Sequence, residues 1–252
     1  MTGSGAEATG GPHRLVALMP MRHDSERVPG KNYRPFGDGR PLFHHMLDAL
    51  AGCPEIDRVV IDTDSPTIKE DCAHRYPDVV VLDRPQRLVS GMTPMNDVLL
   101  HDVIEVDSEF YLQTHATNPL LSSETLGRAI RTFFDSYPSH DSLFGVTRVQ
   151  TRFWDSDGRA VNHDPDTLIR TQDLPPLFEE NSCVYIFRGE TLRESHNRIG
   201  KRPYLFEIDR LEAVDIDNEA DFEIAEFLFE RKRRRWTDAS CADHMPSPSA
   251  EL

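Results

Sequence analysis

The sequence LVAL at positions 15–18 leads into MPMRHDSERVPGKN at positions 19–32. A short apolar run closed by Pro20 predicts a buried strand, and the polar segment with Gly30 predicts a loop. In open α/β sheets, ligands lie beyond the carboxyl ends of the strands, where backbone N–H groups and cations meet anionic oxygens. Arg22, Arg27 and Lys31 therefore make this loop a candidate phosphate-binding segment, and a solvated turn is the alternative.

The loop does not match the common glycine-rich nucleotide motifs. Gly30-Lys31 is followed by Asn32 where a P-loop has Ser or Thr, and no glycine stands at the Walker spacing before it. The segment also lacks the G-x-G-x-x-G pattern of dinucleotide-binding folds. Any phosphate binding here would therefore depend on side-chain cations more than on a glycine cradle.

The length and composition are those of an ordinary globular protein. The chain has 252 residues, 38% hydrophobic and 28% charged, which suits one large α/β domain with an insertion or two small domains. No apolar run approaches the ~20 residues of a membrane span. Residues 1–13 lack the basic region and apolar core of a secretory signal, so the sequence predicts a cytoplasmic protein with no membrane partner.

The net charge argues against binding to nucleic acid, and the cysteine spacing argues against a C-x-x-C metal or redox site. A formal net charge of -15 makes the whole chain a poor ligand for nucleic acid, because phosphate contacts need Lys and Arg in excess. The basic run at 231–235 is interpreted as the end of a helix, where cations favour the macrodipole. The four cysteines form no C-x-x-C pair, which predicts buried or incidental thiols.

Strand and helix patterns alternate along the first two thirds of the chain. Strands are predicted at 59–61, 79–82, 110–112 and 143–149, and helices at 41–50, 66–76, 95–106 and from 122. Ser65-Pro66 is a typical helix start, with a hydroxyl cap and Pro in the first turn. Short connections between alternating elements predict right-handed crossovers and a Rossmann-like, mostly parallel α/β sheet flanked by helices.

The last third of the chain is less regular. Residues 150–180 are rich in Pro, Asp and aromatic residues and predict a small inserted lobe. Strands are predicted at 183–187 and within 204–214, and a closing helix from Asn218 with Asp221 at the capping-box position. One domain is therefore predicted over 14–232, with disorder at 1–13 and 233–252.

Two acidic residues precede the closing helix in the sequence VDID at 214–217. On a strand, residues two apart face the same way, so Asp215 and Asp217 are predicted to point together. Paired carboxylates suit Mg²⁺, which completes its shell with water and substrate phosphate. A solvated strand end before a helix is an equal alternative.

A polar segment, QTHATNPLL at 113–121, follows the predicted strand at 110–112. Gln113 can bond a base or a sugar hydroxyl there, or it can belong to a polar turn. Arg84 leaves the strand at 79–82 at the same edge of the sheet. His115 is a candidate general base, although a hydrogen-bonded structural role is commoner for a lone histidine. His44 and His45, inside a predicted helix, are interpreted as structural.

Together these segments resemble the ordered motif set of the CMP-sugar synthetases, the cytidylyltransferases that activate N-acylneuraminate and, more distantly, 3-deoxy-manno-octulosonate. The resemblance covers residues 14–232 and includes QDLPP at 172–176, Glu180-Asn181 and Tyr185. It implies a nucleotidyltransferase-type fold, an inserted lobe that mediates homodimerisation, and CTP and Mg²⁺ as co-substrates. The implied reaction is transfer of CMP to an acidic acceptor with release of pyrophosphate.

The resemblance also assigns roles to residues. It implies catalytic roles for Arg22, Lys31, Asp215 and Asp217, the last two as metal ligands. Nucleotide binding is implied for Arg22, Arg27, Lys31, Asn32 and Arg84, and substrate binding for Gln113, Arg170, Gln172, Asn181 and Tyr185.

Three positions depart from the family pattern. Glu26 stands where the family loop usually has Lys. Asn181-Ser182 stands where the family usually has Asn-Gly, so Ser182 replaces the glycine. Thr171 replaces the arginine that binds the acceptor carboxylate in the sialate enzymes, and Arg170 lies one residue earlier. These changes concern the acceptor and the triphosphate. A 2-keto-3-deoxy sugar acid is the favoured acceptor, a small phosphonate or other non-sialate acid is the alternative, and a non-catalytic nucleotide-binding module is the second alternative.

Overall fold

The computed structural model describes residues 14–242, and side chains up to residue 234. Its strands are β1 (Leu15–Leu18), β2 (Pro35–Phe36), β3 (Arg40–Pro41), β4 (Arg58–Thr63), β5 (Val80–Asp83), β6 (Phe110–Gln113), β7 (Ser142–Val149), β8 (Leu177–Arg188) and β9 (Pro203–Glu207). Its helices are α1 (Leu42–Ala51), α2 (Pro66–Arg75), α3 (Met95–Glu105), α4 (Ser123–Ser136), α5 (Gly189–Ser195) and α6 (Glu219–Ala242). Short 3₁₀ turns occur at Lys31–Tyr33, Gln86–Leu88 and Thr171–Asp173.

A seven-stranded sheet organises the chain, in the order β5-β4-β1-β6-β8-β7-β9. The strands β5, β4, β1 and β6 are parallel, β8 runs antiparallel to both neighbours, and β9 is parallel to β7. The predicted mostly parallel α/β sheet is therefore confirmed. Its four parallel strands end at one edge, which is where a ligand site is expected.

The two faces of the sheet carry separate cores. Alternate residues of β1 point to opposite faces: Leu15 and Ala17 pack with α1, α2 and α4, whereas Val16 and Leu18 pack with α3 and α5. Helices on both faces bury β1 completely, which explains its continuous apolar run. A third cluster joins α6 to the β2–β3 hairpin through Phe36, Ile216, Phe222 and Ala225.

Both predicted helix caps are present. The Ser65 hydroxyl accepts from the Ile68 N–H at 3.3 Å. At the start of α6, the Asn218 Oδ1 accepts from the Asp221 N–H and the Asp221 Oδ2 accepts from the Asn218 N–H, each at 3.0 Å. This reciprocal pair fixes where α6 begins and therefore where the acidic segment before it ends.

Several boundaries differ from those predicted. Helix α6 continues to Ala242, beyond the predicted disorder boundary at 233, because residues 233–242 contain no Gly or Pro to stop a helix. Strand β8 begins at Leu177, so the irregular lobe ends near 176. Strand β9 ends at Glu207 and is the one short strand within the predicted range 204–214, and the short helix α5 was not predicted. The predicted disorder at 1–13 and 243–252 lies outside the described residues.

Two smaller findings concern the cysteines and the membrane. The thiols of Cys53, Cys72 and Cys183 are free and buried, in keeping with the predicted buried thiols. Within residues 14–242, no helix has the length and apolar character needed to cross a bilayer.

Candidate functional site

An open cavity of about 560 Å³ lies at the carboxyl ends of β1, β5 and β6. Five chain segments line it: the loop after β1, the residues from the end of β5 to the start of α3, the residues that follow β6, Ser182 within β8, and the segment before α6. The cavity brings together seven of the residues predicted for the site, namely Arg22, Arg27, Lys31, Asn32, Arg84, Asp215 and Asp217. The parallel strands therefore gather the predicted loop cations and the predicted carboxylates at one place.

The loop after β1 is shaped by a left-handed residue and a short turn. Gly30 has φ +66°, and a Cβ added there would approach the Tyr33 ring to 3.0 Å, so glycine suits the position on both counts. The 3₁₀ turn that follows directs Lys31 toward the segment before α6, where its Nζ donates to the Ile216 carbonyl at 2.5 Å. This contact joins residues 185 positions apart and closes one side of the cavity.

Asn32 and Arg22 form the other part of this loop. The Asn32 Nδ2 donates to the Arg22 carbonyl at 2.9 Å, so Asn32 holds the loop backbone. A Cβ on Gly91 would stand 3.0 Å from an Arg22 guanidinium nitrogen and 2.6 Å from the Glu26 carboxylate. The Glu26 that replaces the family's lysine thus lies at the same wall of the cavity as Arg22.

The acidic segment is extended but does not form the predicted strand. Residues 214–217 have no sheet partner; instead the Ile216 N–H donates to the Thr117 carbonyl at 3.0 Å. Because Ile216 is buried among the residues that anchor α6, the alternation still turns Asp215 and Asp217 toward the cavity. The predicted common direction of the two carboxylates therefore arises from a loop that is pinned to residue 117.

The two carboxylates have different surroundings. Asp217 accepts from Arg27 at 2.7 Å in a largely exposed pair. Asp215 is more enclosed, and its Oδ1 is buried with no hydrogen-bond partner among residues 14–234. Burial raises the pKa of Asp215 above its usual value and the Asp217 charge adds to that shift, whereas a hydrogen bond with Thr117 and the Lys31 charge oppose it. A site with an unsatisfied, partly desolvated carboxylate favours a bound cation.

Two opposing effects act on the pKa of Lys31. Burial lowers the pKa of the Lys31 ammonium, and the charges of Asp215 and Asp217 oppose that shift. The ammonium is thus held between the acidic segment and the cavity, where it is a fixed donor for an anionic ligand.

Arg84 lines the cavity but is not a free cation. Its guanidinium is buried and pairs with the buried carboxylate of Asp62 on β4. A second nitrogen donates to the Asp62 carbonyl at 3.2 Å. Sequence patterns gave no sign of this partner, because the pairing depends on the register of β4 against β5.

Gln113 is buried behind the cavity and is fully engaged. Its Nε2 donates to the Thr114 carbonyl at 3.0 Å and lies 2.9 Å from the His115 Nε2, while its Oε1 accepts from Arg198 at 2.5 Å. The Arg198 contact assigns the amide orientation, so Gln113 donates to the His115 Nε2. The predicted substrate contact of Gln113 stays a prediction, and these internal bonds hold its amide in place.

Arg198 is a polar residue that the sequence analysis missed. Its guanidinium lies 3.5 Å from the centre of the Tyr185 ring, and the Tyr185 hydroxyl donates to Glu180. Arg198 lies in a loop after α5 that carries no recognisable motif, so no sequence signal identified it. A connected polar group, made of Gln113, His115, Tyr185 and Arg198, therefore backs the cavity.

The remaining predicted substrate-binding residues lie outside the cavity lining. Arg170 is exposed and forms an ion pair with Asp173 at 2.7 Å. Gln172 is exposed in the same lobe. Asn181 is buried, donating to the Thr147 hydroxyl at 3.1 Å and accepting from the Cys183 N–H at 3.2 Å. In this chain alone, these side chains face the lobe or the core.

Ser182 departs from the family pattern only in its side chain. It adopts φ +58°, the left-handed region that favours glycine, and it lines the cavity. The chain thus keeps the backbone conformation that suits the family's usual glycine, with a hydroxyl group added at the cavity wall.

Comparison with solved structures identifies the class of fold. CMP:2-keto-3-deoxy-manno-octonic acid synthetase, solved as a complex with CTP, superimposes with a TM-score of 0.65 at 14% identity, over 87% of this chain and 99% of that one. A 4-diphosphocytidyl-2C-methyl-D-erythritol synthase from Anaerococcus prevotii gives a TM-score of 0.64 at 12% identity, over 87% and 97%. The fold is therefore that of the nucleotidyltransferase-type α/β proteins.

Sequence comparison identifies the family. The profile of the family described as Cytidylyltransferase matches residues 16–235, so the chain belongs to the cytidylyltransferase family and is a nucleotidyltransferase. It is 28% identical to the post-translational flagellin modification protein B of Campylobacter coli, over 89% of this chain and 98% of that protein. It is 29% identical to the CMP-N,N'-diacetyllegionaminic acid synthase of Legionella pneumophila, over 86% and 97%.

A third relative is longer. The chain is 26% identical to an N-acylneuraminate cytidylyltransferase of Streptococcus agalactiae, over 82% of this chain and 51% of that protein. The chain thus spans about half the length of this relative and nearly all of the previous two.

His115 provides a test of the site's electrostatics. Burial, with the charges of Arg198 and Lys31, lowers the pKa of His115 to about 3, against about 6.5 in an unfolded chain. The unfolded state therefore binds a proton in this window that the folded state does not, so stability falls as the pH drops from about 6.5 toward 3. We expect the His115 ring resonance, assigned by its loss in His115→Asn, to stay at the neutral position down to pH 5. A midpoint near 6.5 would contradict the lowered pKa of His115.

Proposed function

We propose that this protein transfers CMP from CTP to an acidic acceptor, a 2-keto-3-deoxy sugar acid, and releases pyrophosphate. Family membership supports the nucleotidyl transfer, and relatives named for legionaminate and acylneuraminate activation support the sugar acid. The observation that carries the proposal is the cavity in which Lys31 and Arg22 stand opposite Asp215 and Asp217. Fixed cations beside paired carboxylates suit a triphosphate that arrives with a divalent cation.

The reaction asks the protein mainly for positioning and charge. An acceptor hydroxyl oxygen attacks the α-phosphorus in line, and its proton passes to solvent water in the open cavity. The bond to the bridging oxygen breaks, and negative charge grows on the departing pyrophosphate. Lys31 and Arg22 donate to the phosphate oxygens and stabilise that charge. His115 is neutral at working pH and its Nε2 already accepts from Gln113, so we assign it to positioning and not to proton abstraction.

The residues before α6 fit a magnesium ion. Asp215 has a buried oxygen without a partner, and Asp217 shares its carboxylate only with a largely exposed arginine. These two side chains would hold Mg²⁺, which supplies a Lewis acid and a template for the phosphates when bound. Arg27 would then be free of Asp217 and available to the triphosphate.

The inserted lobe supports a dimer. Large apolar side chains are exposed on residues 150–178, among them Trp154 at 55%, Leu168 at 88% and Phe178 at 42%. Exposed apolar groups on this lobe favour an interface, and we propose that the protein is a homodimer through this lobe. A second subunit would cover these groups. Its lobe would then lie near the part of this chain's cavity where the acceptor binds.

A panel of acceptors tests the function. Purified protein with CTP and Mg²⁺ is assayed for pyrophosphate release with N-acetylneuraminate, 3-deoxy-manno-octulosonate, related nonulosonates and small phosphonates, with the other three NTPs as controls. We expect release with CTP and a sugar acid, and light scattering should give twice 28.7 kDa. Pyrophosphate release with a phosphonate and with no sugar acid would contradict the proposed acceptor and identify a phosphonate in its place. Calorimetric binding of CTP without release on any acceptor would contradict the enzyme and favour a binding module.

Substitutions at the cavity test its residues. Lys31→Ala and Asp217→Ala should each lower turnover by about 100-fold or more, because each removes a charge that acts on the phosphates or their cation. Asp135→Ala, on the exposed side of α4, and Lys201→Ala, also exposed, are the matched controls and should retain turnover. Near wild-type turnover in Lys31→Ala or Asp217→Ala would overturn the assignment.

Substitution of Arg170 tests whether this residue binds the acceptor. If it binds an acceptor carboxylate, Arg170→Ala removes a charge-assisted bond worth about 1.5–3 kcal/mol, which corresponds to a rise in acceptor KM of roughly 10- to 100-fold. Arg159→Ala is the matched control, since both arginines are exposed to 73% and paired with lobe aspartates. Equal KM values for the two variants would exclude Arg170 from acceptor binding.

A further inference from the structure

A second cluster of buried polar atoms lies behind Arg84, on the side away from the cavity. It consists of Asp62 on β4 and of His101 and Asp102 on α3. Asp62 and Asp102 are each 1% exposed, and the His101 side chain is 12% exposed. None of these three residues takes part in the proposed transfer reaction.

The polar atoms of this cluster are unsatisfied. The Asp62 Oδ2, the His101 Nε2 and both carboxylate oxygens of Asp102 are buried and have no hydrogen-bond partner among the described side chains and backbone. Burying a carboxylate without a partner is costly, and such groups in folded proteins usually meet a proton, a water or an ion. The cluster therefore points to something bound between the three side chains.

The distances suit a common ligand better than direct contacts. One atom from each residue lies within 4.8 Å of the other two. The His101 Nε2 stands 3.9 Å from the Asp62 Oδ2, which is too long for a hydrogen bond. Two ligands about 2.0–2.2 Å from one tetrahedral ion lie somewhat closer together than this, so a small contraction would complete the shell.

We propose that Asp62, His101 and Asp102 form a binding site for a divalent transition-metal ion of the Zn²⁺ class. One imidazole nitrogen and two carboxylates form a donor set that such ions accept, with water in a fourth position. Mg²⁺ is disfavoured because it prefers oxygen ligands and keeps several waters, for which this buried cluster is a poor host.

The outer contacts have the arrangement that metal ligands use. The second oxygen of Asp62 accepts from the Arg84 guanidinium. The His101 Nδ1 faces the Glu105 carboxylate, one helical turn away, at 3.9 Å, which is also too long for a hydrogen bond. In metal sites, a partner such as Arg84 orients the ligating carboxylate, and a carboxylate that closes on Nδ1 selects the imidazole tautomer that leaves Nε2 free for the ion.

The site would link the packing of α3 to the cavity. The ion would cross-link α3 to β4, and through Asp62 it would fix Arg84, which lines the cavity. The competing occupant is a proton shared by the two aspartates, because burial and the Asp62 charge raise the pKa of Asp102. Metal titration distinguishes the two, since a shared proton provides no zinc affinity.

The test uses the full chain, freed of metal by dialysis against a chelator. We expect calorimetry to show one Zn²⁺ per chain bound at this site, Co²⁺ to give the visible absorption of a bound ion, and zinc to raise Tm because it binds only the folded state. His101→Ala and Asp102→Asn should each weaken zinc binding by at least about 100-fold, at the upper end of the losses seen for outer contacts of metal ligands.

Two matched controls locate the ion. His74→Ala removes an exposed histidine on α2, and Asp135→Asn removes an exposed carboxylate on α4; both should bind zinc as the wild type does. Zinc binding that survives in His101→Ala and Asp102→Asn would overturn the proposal. So would an absence of zinc binding in the wild type, and a wild-type Tm in Asp102→Asn would then identify the shared proton. The Tm of each variant without metal shows that it is folded.

Discussion

The contact between the Lys31 ammonium and the Ile216 carbonyl is the link on which the cavity depends. It joins the loop that leaves the central strand to the segment that precedes the last helix. Ile216 belongs to the same apolar cluster as Phe36 and Phe222. Apolar packing therefore fixes the position of the acidic segment, residues 214–217, relative to the sheet. The cations and carboxylates of the cavity are thus held by backbone and core contacts, which reduces the reorganisation that a ligand must induce.

Local signals were sufficient for most of the fold. Short apolar runs, helical spacing and cap residues such as Ser65 and Asn218 act over a few positions, so the strands, helices and sheet type followed from the sequence. The location of the candidate site also followed from the sequence, because the carboxyl ends of parallel strands share one edge of the sheet. The predicted end of α6 is wrong because residues 233–242 lack a local stop signal, and a polar composition is typical both of disorder and of an exposed helix.

Side-chain partners were not predictable in the same way. Arg84 pairs with Asp62 and Gln113 with Arg198, over separations of 22 and 85 positions. Such pairs depend on strand register and on which face of a helix meets the sheet, and neither is encoded in a short motif. Gln113 and Arg84 were correctly placed at the edge of the sheet, yet their polar groups are engaged by residues that no pattern connects to them.

An acidic protein that binds a triphosphate must keep its cations at the site without neutralising them. Here two of the three arginines that line the cavity have carboxylate partners: Arg27 has Asp217, and Arg84 has Asp62. If a divalent cation binds Asp217, it competes with Arg27 for the same oxygens and leaves that guanidinium to the phosphates. Cation and nucleotide binding would then strengthen each other, since linkage is reciprocal. The buried Arg84 pair differs, because both of its side chains are almost fully enclosed and Asp62 belongs to β4, an interior strand of the sheet. It would form a rigid wall for the same ligand.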